Sequence, residues 1–246
     1  MEPKSTSDSE LRWPLIPLAN APVRFDPNGS LTAWFSVDMT LIHNVIIRSI
    51  NAMWKNAPLV IPADEAAFAG YVLSGIQLIH THHHTEEYII FPRLQEKLNM
   101  QHNIEQHEEF QEPMQQLEDY FKRVQAKENK YDGEKAQRLL EAFAEPLVAH
   151  LTEELDTISP EKMSVFTNEE ILATNKALEE HLKSLGGFFT QLPYGLTAHD
   201  IHQAPEWPPL PGPIKWFIKN IAYFVNRSYW KFAPMTRHGE PQVYRG

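Results

Sequence analysis

Four stretches of this chain repeat apolar residues at steps of three and four, and in each a histidine takes a slot that should be apolar. Such steps mark one face of a helix turned towards a core. The densest is 79–92, Ile-His-Thr-His-His-His-Thr-Glu-Glu-Tyr-Ile-Ile-Phe-Pro, on a stripe of Val72, Ile76, Ile79, His83, Glu87, Ile90 and Leu94. A second stripe is Phe35, Met39, Ile42, Ile46, Ile50 and Met53, with His43 on it. A third is Met100, Ile104, His107, Met114, Leu117, Phe121 and Val124; a fourth is Leu140, Phe143, Leu147, His150, Glu154 and Ile158. Buried imidazoles and carboxylates are costly unless paired, hydrogen-bonded or bound to a metal. The chain must therefore bring partners into a helical core.

The punctuation places these stripes on separate helices. A Pro-rich stretch over 1–30 with an apolar patch, Trp13-Pro14-Leu15-Ile16, reads as an extended arm draped over the core. Helix one spans 30–56; a Pro-containing break follows, and Asp64 is expected to cap a second helix running to about Leu98, kinked at Pro92. Helix three spans 101–127. Asp132 caps helix four, which ends near Ile158. Thr167-Asn168-Glu169-Glu170 opens a fifth helix with a capping-box pattern, and Gly186-Gly187 stops it. Residues 190–213 read as loop, and 215–231 as a short aromatic helix. The expected fold is all-α: an up-down-up-down four-helix bundle over 31–160, with 161–246 packed around it.

Composition narrows the chemistry. There is no cysteine among the 246 residues, which removes disulfides, thiolate metal sites and thiol catalysis and leaves histidine and carboxylate as the strong metal ligands. A net charge of −10 argues against a nucleic-acid footprint. No run of about 18 apolar residues suggests a transmembrane helix, and no apolar stretch near the N-terminus suggests a secretory signal, so the expected location is cytoplasmic.

With a rise of about 1.5 Å per residue, His43 lies about 20 Å before its helix end and His83 about 28 Å into the next. His107 lies about 30 Å before the end of helix three, and His150 about 26 Å into helix four. His43, His83, His107 and His150 thus fall in one zone of the bundle, with Glu87 and Glu154 one turn away. Four imidazoles and two carboxylates suit two metal ions better than one, and the donor types favour iron or manganese over zinc or magnesium. A structural polar network is the bland alternative, and it would require full hydrogen-bond satisfaction of the same groups. His82 reads as pointing to another, solvated face. Glu86 reads as hydrogen-bonding outside the donor set or facing water, and His80 as an outer group or alternative ligand. Methionines at helical spacing read as core.

The order of these residues resembles the hemerythrin-like (HHE cation-binding) family, particularly its fungal members. The resemblance rests on a lone His43, His83/Glu87 followed by Phe91-Pro92, then His107, then His150/Glu154. It implies a four-helix bundle around a non-haem di-iron centre, with iron before manganese, Glu87 and Glu154 bridging, and His84 as a seventh ligand. Two departures bear on function. Asn103 stands where oxygen carriers of the family have a first histidine on helix three, and their His-x-x-x-x-Asp spacing on helix four is absent. Fewer protein ligands leave room at the metals. The resemblance and this departure lean towards an oxidoreductase that uses O2 on a small apolar organic substrate, with an electron donor the sequence does not name. The alternative is a carrier, store or sensor of O2 or iron without turnover; a purely structural metal site ranks below both. The aromatic tail reads as a brace for the bundle, as a substrate-pocket wall, or as an interfacial helix.

Overall fold

The computed structural model describes residues 11–18, 24–26 and 29–246; the rest of the expected N-terminal arm lies outside the described residues. Four long helices carry the four stripes: α1 (Leu31–Asn56), α2 (Glu65–Thr85), α4 (Gln101–Gln125) and α5 (Gly133–Thr157). The short α3 (Phe91–Leu94) continues α2 after a wide turn. Each long helix packs on its neighbours in the chain, and α1 closes the ring against α5. This is the up-down-up-down bundle that short connections between amphipathic helices produce. Beyond it come α6 (Pro160–Met163), α7 (Asn168–Leu185), α8 (Gln191–Ala198), α9 (Gly212–Phe217) and α10 (Tyr223–Val225). Among the described residues the only β pairing is a single bridge between Met235 and Pro241. None of their helices is long and apolar enough to cross a membrane.

The helix starts follow capping chemistry at Ser159 ahead of α6 and at three further places. The Ser30 hydroxyl accepts from the Ala33 amide, the Asp132 carboxylate accepts from Lys135, and Thr167 and Glu170 form the reciprocal capping box. Gly186 stops α7 at a φ of 76°, a conformation without strain only for glycine. Asp64 departs from its expected role. It precedes α2 but caps nothing, because its carboxylate accepts from the Tyr244 hydroxyl at 2.9 Å and pairs with Lys231.

The second helix is not continuous to Leu98. A five-residue π turn, Glu86–Ile90, separates α2 from α3, with the Phe91 amide bonded to the Glu86 carbonyl five residues back. Pro92 accounts for it: in a regular helix its ring would collide with the carbonyl four residues earlier, and a wider turn relieves that clash. Residues 190–213 are not all loop, since α8 forms there with Pro193 in its first turn, where a missing amide costs nothing. The aromatic tail is likewise broken, by a π turn at Ile218–Ala222 and again after Val225.

Helix α1 is buried on nearly every side. Its inner face lines the bundle. Its outer face packs Trp34, Val37 and Leu41 on Ala204 and Trp207, while the arm lays Trp13 and Ile16 along it. Two asparagines pin the arm: Asn51 bonds both backbone groups of Trp13, and Asn44 bonds both of Ile16. The tail is also built into the core, with Trp230, Phe232 and Tyr244 buried beside Phe68 and Tyr71 of α2. Tyr229 lies so close over α2 that a Cβ at Gly70 would sit 2.2 Å from its ring.

The bundle interior holds two apolar clusters. The larger includes Ile46, Ile79, Phe110, Leu147 and Leu151; the other includes Met39, Ile90, Leu94, Met100 and Ile158. The histidines fall between them on all four helices.

Candidate metal centre

Between the two apolar layers the four helices converge on seven ionisable side chains. Two four-donor groups form there, His83, Glu86, His107 and His150 in one and His43, His82, Glu86 and Glu154 in the other. Within each group the donor atoms lie within 4.8 Å of one another, and Glu86 belongs to both.

Local hydrogen bonds decide where the imidazole lone pairs point. The His43 Nδ1–H donates to the Leu151 carbonyl at 2.8 Å, which leaves the Nε2 lone pair facing a Glu154 oxygen at 3.3 Å. The His107 Nδ1–H donates to Glu87 at 2.7 Å. The His150 Nδ1–H donates to Gln106 Oε1 at 3.3 Å, and Gln106 is held in that orientation because its amide nitrogen donates to Glu153 at 2.7 Å. The Nε2 atoms of His107 and His150 then face each other at 3.0 Å, both as acceptors, with a Glu86 oxygen 3.5 Å from the former. Lone pair against lone pair, and lone pair against carboxylate, is repulsive unless a cation or a shared proton lies between. Both ring nitrogens of His83 and both carboxylate oxygens of Glu86 and Glu154 also lack a hydrogen-bond partner. Buried polar atoms of native proteins are satisfied, so this concentration of orphaned donors is the signature expected of cation ligands. The residues fit a metal site.

The electrostatics agree. Burial holds His43, His83 and His150 well below the usual histidine range, takes His82 down to about 4, and lowers His107. Burial also raises Glu86 well above the usual carboxylate range and Glu154 to about 7. The imidazoles are therefore neutral and ready to donate electron pairs, while the carboxylates gain strongly from a cation.

This has a consequence for the metal-free protein. Below about pH 6.5 the unfolded chain protonates histidines that the fold keeps neutral, so acid removes stability. Glu86 and Glu154 act oppositely: their raised values favour the fold most below about pH 4.3, and that contribution is lost as pH rises through their folded values. Four strongly depressed imidazoles outnumber the two raised carboxylates, so the fold loses stability on going from pH 6.5 to pH 5. Urea midpoints of chelator-treated protein at the two pH values measure it. An unchanged midpoint would show that these histidines are not held neutral by the fold.

The geometry revises the expected donor set at two positions. His43, His83, His107, His150 and Glu154 come together as the spacing suggested. Glu87 does not join them: its carboxylate is 36% exposed and bonds the far nitrogen of His107 from outside. His84 also stays out, its exposed ring tilted 41° against that of Tyr88 with centroids 4.2 Å apart, and 5.4 Å from that of His181. In their places stand Glu86, fully buried, and His82, whose Nε2 lies 3.0 Å from Glu86. The run His82-His83-His84-Thr85-Glu86-Glu87 contains His-x-x-x-Glu twice, one residue apart. Spacing alone cannot choose between the two, whereas the seven-residue step from Ile79, itself buried, lands on Glu86. Asn103, one turn before His107, is buried with neither amide atom bonded.

Comparison with known proteins agrees with this architecture. Over 238 residues the chain is 25% identical to the dimeric xanthone biosynthesis cluster protein R11 of Cryptosporiopsis sp. (strain 8999), covering 94% of this chain and 89% of that protein. No solved structure matches significantly. Residues 42–161, which contain every one of the seven converging side chains, match the Hemerythrin HHE cation binding domain. The bundle of this chain is therefore similar to the hemerythrin HHE cation-binding domain, over residues 42–161.

Proposed function

We propose that this chain is a non-haem di-iron protein that reacts with O2 and oxidises a small organic substrate. The observation that carries the reading is the pair of four-donor groups sharing Glu86. His83, His107 and His150 would hold one ion, His43, His82 and Glu154 the other, and the Glu86 carboxylate would serve both. A bound ferrous pair supplies electrons for the reduction of O2. Four side-chain donors per group fall short of the six of an octahedral ion, which leaves positions for O2 or substrate.

The chain's own part is orientation and exclusion. Leu151, Glu87 and Gln106 fix the tautomers of His43, His107 and His150 by taking the proton on the nitrogen that faces away. The apolar layers above and below screen the donors from solvent along the bundle axis. The name of the Cryptosporiopsis relative, a biosynthesis cluster protein, favours turnover of an organic molecule over storage. The competing reading, a carrier, store or sensor of O2 or iron, draws on the same centre, because five neutral imidazoles against two carboxylates favour the ferrous state.

Metal analysis followed by gas exchange separates them. The expected result is two irons per chain, and O2 taken up by the reduced protein that does not return under vacuum. Full recovery of O2 makes the protein a carrier. Zinc, or no bound metal, removes the proposal.

A further inference from the structure

A cleft of about 640 Å³ opens between α2 and α4 and reaches the centre from solvent. Its floor includes His83, which is 6% exposed and has both ring nitrogens unpartnered, together with His107 and Phe110. Its rim carries the carboxylates of Glu87, Glu108 and Glu112. No lysine or arginine lines it among the described residues. Glu108 and Glu112 are exposed on α4, and Glu112 accepts only a 3.2 Å bond from Gln116. A cleft with one sign of charge concentrates ions of the other sign and raises their rate of entry. A divalent cation would meet oxygen donors at the rim and imidazole donors below, a descent from hard, hydrated ligation to tighter nitrogen ligation.

We infer that the α2–α4 cleft is the port through which a divalent cation enters the buried centre, with Glu108 and Glu112 as its attracting rim. This rests on the reading of the seven side chains as a metal centre, but not on any reaction with O2. Neither glutamate belongs to either donor group, so their removal changes the rate of loading and leaves the capacity intact.

The test is ferrous ion uptake by the metal-free full chain, followed anaerobically with a colorimetric chelator, in wild type and in the double variant Glu108→Gln/Glu112→Gln. The double variant is expected to load about tenfold more slowly at low salt while reaching the wild-type final iron content. In wild type the rate falls with added sodium chloride; in the variant it barely changes. A second variant, Gln111→Trp, which plugs the cleft with a neutral ring, is expected to slow loading at every salt concentration. Equal uptake rates in wild type and both variants would overturn the port. Unchanged loading with impaired binding of an organic substrate would overturn it in favour of a substrate mouth. If wild type itself takes up no iron, the metal-centre reading fails first, and the two failures are thereby distinguished.

Discussion

Glu86→Ala is expected to leave well under half of the wild-type metal content, because one carboxylate serves both donor groups. Its removal takes each group from four donors to three and deletes the negative charge that offsets two cations in a buried layer. Glu87→Ala is expected to behave differently. That carboxylate only accepts the Nδ1 proton of His107, and loss of an orienting partner of this kind typically weakens metal binding by about 10–100-fold without removing a ligand. The two variants should thus part on dialysis against a graded chelator series. Glu87→Ala loads at low chelator and loses metal early, whereas Glu86→Ala never fills. The same contrast extends along the histidine run, with His82→Ala impairing loading and His84→Ala sparing it. If Glu87→Ala and His84→Ala abolish metal while Glu86→Ala and His82→Ala retain it, the seven-residue register is wrong and the neighbouring one holds.

Phe232→Ala is expected to cost about 3–5 kcal/mol, the usual range for a buried phenylalanine whose cavity cannot collapse. The ring is fully buried, with centroids 5.0 Å from Phe68 and 6.3 Å from Tyr71 on α2 and 4.6 Å from Tyr244. Against a typical domain stability of about 5–15 kcal/mol that is a large fraction. Phe224, in the same aromatic tail but 47% exposed, is expected to change stability by only about 0.5 kcal/mol or less on replacement by alanine. Urea unfolding of both variants decides the matter. A small effect for Phe232→Ala would mean that the tail merely rests on the bundle. A large one, with the bundle failing to fold once 206–246 are deleted, makes the tail a part of the core that braces the helix bearing His82, His83 and Glu86.

The long helices, the caps at Asp132 and Thr167, and the layer holding the histidines were legible from residue order. Helical periodicity and capping are local, so a stretch of about 20 residues contains the whole signal. The spacing of His43, His83, His107, His150 and Glu154 was equally local, each being a polar residue on an otherwise apolar stripe. The choice between Glu86, paired with His82, and Glu87, paired with His83, was not. Both pairs sit four apart, and the two registers differ only in the rotation of α2 about its axis. That rotation follows from packing against α1 and α4 and from the widened turn ahead of Pro92. The π turn, helix α8 and the burial of Phe232 share this character, since each depends on contacts with residues far away in the chain. Residue order determined a helical bundle with histidines and carboxylates in its middle. Only the folded arrangement decided which carboxylate lies between the two donor groups, because a helix face is chosen by its neighbours rather than by its own sequence.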